Sequence, residues 1–229
     1  MESAAQVGAP APSNLRGTLA YVLPFALFIA FLAIHSFVPV PQWVRFAAPL
    51  AAAAALSRKA LGTRLVSPLA SIALGAAVCV LWVGPEIVFP GYHGSILFSN
   101  GLLGHPVASA TAAQKSATAF IFFRILVSVI TVPILEELFW RGWLMRWLIN
   151  NDFESIPLGT YSTQSFWIVA ALFASEHGSF WDVGLLTGVI YNWWMLRTKS
   201  LWDCILMHAV TNACLAWYVL HYDKWMYWL

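Results

Sequence analysis

Charge is what this chain has least of. Asp, Glu, Lys and Arg make up 10% of its 229 residues, and 60% are hydrophobic, whereas an ordinary soluble protein is about 25% charged. So little polar surface cannot coat a globule of this length, which excludes a soluble one- or two-domain protein. The net charge of +2 is spread along the chain and leaves no basic stripe for nucleic acid. Cysteine is scarce as well. Cys79, Cys204 and Cys214 are odd in number, lie in apolar runs and lack CxxC spacing. They read as small buried hydrophobes, not as a disulfide frame or a thiolate metal site. Internal repeats are lacking, and the only low-complexity stretch is a run of alanines at 51–55.

What the chain has in abundance is long apolar segments, and the expected fold class is all-α, a polytopic membrane bundle of seven or eight transmembrane helices. Residues 1–16, small and polar with Pro10 and Pro12, are expected to form a flexible tail. Residues 17–229 then form a single transmembrane domain. Seven spans are expected: Gly17–Val38, Trp43–Leu56, Val66–Val83, Ser116–Ile149, Ser165–His177, Trp181–Leu196 and Leu201–Leu220. The fourth exceeds the roughly 20 residues that a span requires, and Pro133 offers a place for it to bend. Gly84 to Ala113 is too rich in Pro and Gly for a spanning helix and reads as a loop. An interfacial segment at Ile96–Leu103 would raise the count to eight, and His93 and His105 in this loop read as solvated. With the N-terminus cytoplasmic, Arg16, Arg58, Lys59, Arg64, Arg146, Arg197 and Lys199 fall inside. Arg45, Lys115 and Lys224 fall outside, in line with the positive-inside rule. The expected location is a multi-pass integral membrane protein.

Within this apolar background stands Glu136-Glu137-Leu138-Phe139-Trp140-Arg141. A charged side chain at the centre of a membrane helix costs roughly 2.5–3.5 kcal/mol on insertion scales, so two adjacent carboxylates need partners or a purpose. Glu137 and Arg141 are four apart and share a helix face, which suits an ion pair. Glu136, about 100° further round, has no local cation. A plain alternative is a topology anchor of snorkelling side chains. Two further constellations tip the balance. Phe173 lies four before His177 at the end of the fifth segment, and His208 lies four before Asn212 in the seventh. At about 1.5 Å rise per residue, helices running in opposite directions bring Glu136, His177, His208 and Asn212 to similar depth. Intramembrane polar groups at a common level normally face the bundle interior or a water-filled cavity. A buried Glu can act as general base toward water, a histidine opposite can share that water, and His208 and Asn212 can donate to a developing oxyanion. Together they suit peptide hydrolysis by activated water. Glu136, His177 and His208 could also bind zinc, but there is no HExxH and a metal is not demanded.

Other polar residues favour structural roles. Asp182 suits a helix cap, Glu176 a supporting polar group, and Asn192 a bond across helices. Most of the tryptophans suit an interfacial belt.

EExxxR at Glu136–Arg141, FxxxH at Phe173–His177 and HxxxN at His208–Asn212, in this order on successive hydrophobic segments, resemble the CPBP family. These are intramembrane proteases related to the type II CAAX prenyl endopeptidase and to protease self-immunity proteins. The resemblance covers about residues 116–220. It implies an all-α bundle, usually of eight helices, and a membrane-associated protein or peptide as substrate. It further implies that Glu136 activates water with His177 assisting, that His208 and Asn212 stabilise the oxyanion, and that Glu137 and Arg141 hold the site together. Zinc is left open, with Glu136, His177 and His208 as ligands if it is present. General character, not a motif, also resembles the CAAX-protease-related proteins of exosortase and PEP-CTERM sorting systems, which implies a bacterial inner membrane. The alternatives are a non-catalytic scaffold or immunity protein of the same fold and a proton-coupled transporter, against which the lack of inverted repeats counts.

Overall fold

A computed structural model describes residues 15–35, 37–107 and 110–228. Residues 1–14 of the expected tail lie outside the described residues, and Leu15 and Arg16 already belong to the first helix. The architecture is an all-α bundle whose described residues form eight helices: α1 (Leu15–His35), α2 (Gln42–Leu56), α3 (Pro68–Val88), α4 (Ala112–Ser116), α5 (Thr118–Trp147), α6 (Thr163–Ser175), α7 (Trp181–Thr198) and α8 (Leu201–Tyr222).

The expected seven or eight spans are corrected to four. Among the described residues, only α1, α3, α5 and α8 are long and apolar enough to cross a membrane. They make the protein a multi-pass integral membrane protein. Helices α2 and α6, with 15 and 13 residues, fall short of the roughly 20 needed. Helix α7 has 18 residues but mixes its apolar positions with Asp182, Thr187, Asn192 and Arg197. An apolar run signals burial and does not say what does the burying. In α6, Phe166, Val169, Ala170 and Phe173 are buried against protein. The expected interfacial segment at 96–103 is not helical; it forms turns and a single bridge between Asn100 and Gly104.

Helix α5 runs through the middle, packing against α1, α2, α6 and α8, while α3 packs along α8 and α6 along α7. Small residues permit the closest approaches. A Cβ on Gly75 of α3 would stand 2.4 Å from the Met207 carbonyl of α8, and one on Gly188 of α7 would stand 3.1 Å from Cα of Ala170 in α6. Hydrogen bonds then fix the register between helices. Tyr191 donates to Thr211 at 2.9 Å, Trp82 to Thr187 at 2.8 Å and Trp194 to Ser71 at 3.0 Å.

The loop after α3 also differs from expectation. Gly84 and Pro85 sit in the last turns of α3 rather than ending it. His93 is not solvated but fully buried. Its ring lies 3.3 Å from Glu86 and 3.2 Å from Asp182, among Tyr92, Phe98 and Phe180. Asp182 spends its carboxylate on this histidine and does not cap α7.

At the opposite end of α3, the fully buried Asp203 of α8 accepts from the backbone N–H of Val66 (2.6 Å) and Ser67 (2.7 Å) and from the Ser71 hydroxyl (3.0 Å). One carboxylate thereby satisfies donors that the start of α3 would leave bare. Asp203→Ala should lower stability by about 3 kcal/mol, read as an earlier melting transition in detergent micelles. A wild-type melting curve would refute this account of the clamp.

Candidate active site

Helix α5 is irregular where the site is built. Residues Val127–Thr131 and Leu138–Leu144 are π-helical, a widening that often accompanies functional sites. The first follows from Pro133. The Val132 N–H reaches back five residues to Val127, and Pro133 has no N–H to offer. The Ser128 carbonyl thus loses both the α-register and the π-register donor. Asn212 of α8 fills the gap, its Nδ2 donating to Ser128 O at 2.8 Å.

The second irregular stretch follows the paired glutamates. Glu137 is wholly buried, and its Oε1 accepts from Arg141 Nη1 at 3.1 Å and from His208 Nδ1 at 2.9 Å. Arg141, also wholly buried, donates through Nε to Asn192 Oδ1 at 3.0 Å, and Asn192 in turn donates to Phe166 O at 2.8 Å. The guanidinium lies over the rings of Phe173 at 4.6 Å and Tyr191 at 5.3 Å. A chain of polar contacts thus joins α5, α6, α7 and α8 inside an apolar interior, where each bond is stronger than in water and each loss is more costly.

Glu136 points elsewhere, into a cavity of about 240 Å³. The cavity also receives Glu176, His177, His208 and Asn212, with Phe173 and Tyr191 behind them. Among the described residues, Glu136 Oε2 has no hydrogen-bond partner. His177 Nδ1 donates to the Phe173 carbonyl at 2.7 Å, which leaves its Nε2 lone pair available. Glu176, expected only as a supporting group, accepts from Trp140 Nε1 at 3.2 Å and lines the same space. No spacing motif contained it. Its signal was adjacency to His177 at the end of an apolar helix.

All seven residues singled out from the three motifs fall in or around this cavity. Glu136, His177, His208, Asn212 and Phe173 line it, while Glu137 and Arg141 lie behind it. As a set of metal ligands, however, Glu136, His177 and His208 do not fit. Among the described residues no three His, Cys, Asp or Glu side chains stand where they could hold a metal ion.

A membrane-embedded helical bundle with carboxylates and imidazoles around an internal cavity defines the class. Residues 118–214 match the family model described as Type II CAAX prenyl endopeptidase Rce1-like. The chain thus carries an Rce1-like domain of the CAAX/CPBP protease type, and all three motifs fall within it. No curated protein and no solved structure matches the chain.

Arg141→Ala should leave the Glu137 carboxylate buried beside a histidine alone, at a cost of about 3–5 kcal/mol. The double variant Glu137→Gln/Arg141→Met removes both charges and should recover much of that loss in thermal unfolding. Equal destabilisation of the two proteins would show that charge pairing is not what Arg141 contributes.

Proposed function

We propose that the protein is an intramembrane endopeptidase, acting in a bacterial cytoplasmic membrane on a membrane-associated protein or peptide. The observation that carries this reading is the convergence of Glu136, its Oε2 unpartnered among the described residues, with His177, His208 and Asn212 on one cavity. Water held between the Glu136 carboxylate and His177 Nε2 gives a proton to Glu136 while its oxygen attacks the scissile carbonyl carbon. The carbonyl π electrons move onto oxygen. His208, with Nδ1 committed to Glu137, turns its Nε2 edge to that oxyanion. Asn212 keeps one amide proton on Ser128 and has a second for the same oxyanion. When the C–N bond breaks, Glu136 returns the proton to the departing nitrogen. Phe173 and Arg141 hold His177 and Glu137 in place and do not touch the reacting atoms.

Glu136→Gln keeps shape and volume but cannot accept the proton. In cells making this variant, or His208→Ala, at normal membrane levels, protein termini generated by the wild type should be missing, a loss of at least 100-fold. Comparison of membrane-proteome termini reads this directly, and a full wild-type set in either variant would overturn the assignment.

A further inference from the structure

A second hollow, about 300 Å³, opens on the outside of the bundle between α5 and α8. Its walls are Val129, Ile130 and Ile134 on one side and Trp202, Ile205, Leu206 and Ala209 on the other, with Leu65 at one end. Its origin is local. The π-widened turn of α5 meets the small side chain of Ala209, and the two helices fail to close. From Trp202 to Ala209 the groove runs about 10 Å at the helical rise, and every wall residue is apolar or aromatic.

The end marked by Leu65 is built rather than loose. Trp202 Nε1 donates to Leu61 O at 2.7 Å, the Ser200 hydroxyl to Arg64 O at 2.7 Å, and Asp203 holds the backbone N–H groups of Val66 and Ser67. These bonds fix Arg64 beside the groove mouth and bring Lys199, next to Ser200, to the same end. Both side chains are exposed. Arg58, Lys59 and Arg197 add exposed positive charge on the same loop and the end of α7. The acid of this loop–helix junction, Asp203, is buried and already occupied by its three donors.

An apolar channel on a membrane-facing surface with cations at its mouth has two complementary halves. We propose that this groove binds one acyl chain of an anionic phospholipid, with Arg64 and Lys199 holding the phosphate. The chain replaces apolar contacts that α5 and α8 do not make with each other, and the headgroup stays at the polar boundary where the basic loop lies. Each cation near the phosphate should favour an anionic over a zwitterionic lipid about fivefold. The site is separate from the cavity of Glu136 and does not depend on catalysis.

The test uses the full chain in micelles doped with equal amounts of phosphatidylglycerol and phosphatidylcholine of the same acyl length, with retained lipid read by native mass spectrometry. Wild type should retain phosphatidylglycerol in roughly 25-fold preference. Arg64→Gln/Lys199→Gln should bring that preference close to unity while lipid of either kind is still retained. Ala209→Phe, which fills the groove, should lose both lipids. Ile130→Gln, at a half-open position less able to upset folding, should weaken both, and the melting curve of each variant checks that it is folded. Millimolar inorganic phosphate should not displace the lipid; if it did, the site would be one for a free anion. Absence of preference in the wild type, or unchanged lipid retention in folded Ala209→Phe and Ile130→Gln, would overturn the proposal.

Discussion

A carboxylate buried without access to water needs positive charge or hydrogen bonds brought to it, and Glu137 receives both. Its Oε1 takes Arg141 from one turn along α5 and His208 from α8. Arg141 needs its own partners and finds them in Asn192 and two aromatic faces. The contacts close only if α5, α6, α7 and α8 hold one particular arrangement, since an unpaired charge there costs several kcal/mol. The same arrangement turns Glu136, one residue earlier, into open space. The neighbouring glutamates thus separate into one whose Oε1 is held by Arg141 and His208 and one that faces the cavity.

Proline has a comparable reach. By removing a donor at position 133 it exposes the Ser128 carbonyl, and the amide that covers this carbonyl belongs to Asn212, a residue of the cavity wall. Val129 and Ile130 of the widened stretch also line the hollow on the outer face of α5, beside Ala209. The same irregular stretch thus lends walls to both hollows, Val127 and Ser128 to the internal one and Val129 and Ile130 to the external one.

Much of this was legible in the residues. The helix limits around Trp181, Leu201 and Thr118 follow from apolar runs and their breakers, and the Glu137–Arg141 contact follows from a four-residue spacing. Span count was not legible, because hydropathy treats a residue covered by lipid and one covered by a neighbouring helix alike. Phe173 and Val169 are as apolar as any span residue and are wholly interior. His93 was misread for a related reason. Gly and Pro mark where a chain turns, but whether the turn folds back over a ring depends on Glu86 and Asp182, seven residues before it and 89 after it. Glu137 as partner of His208 is likewise a contact across 71 residues, invisible to any local pattern.

Asp203 ties α8 to the start of α3, and His93 with its two carboxylates ties the far end of α3 to the start of α7. Helices α3, α7 and α8 are thereby pinned top and bottom by buried ionic and polar contacts, like a frame bolted at its corners. Across the cavity, α1 offers Phe28 and Leu32, with side chains that make no directional bonds. The wall formed by Trp82 of α3 lies between those two anchors and is held further by its bond to Thr187 of α7.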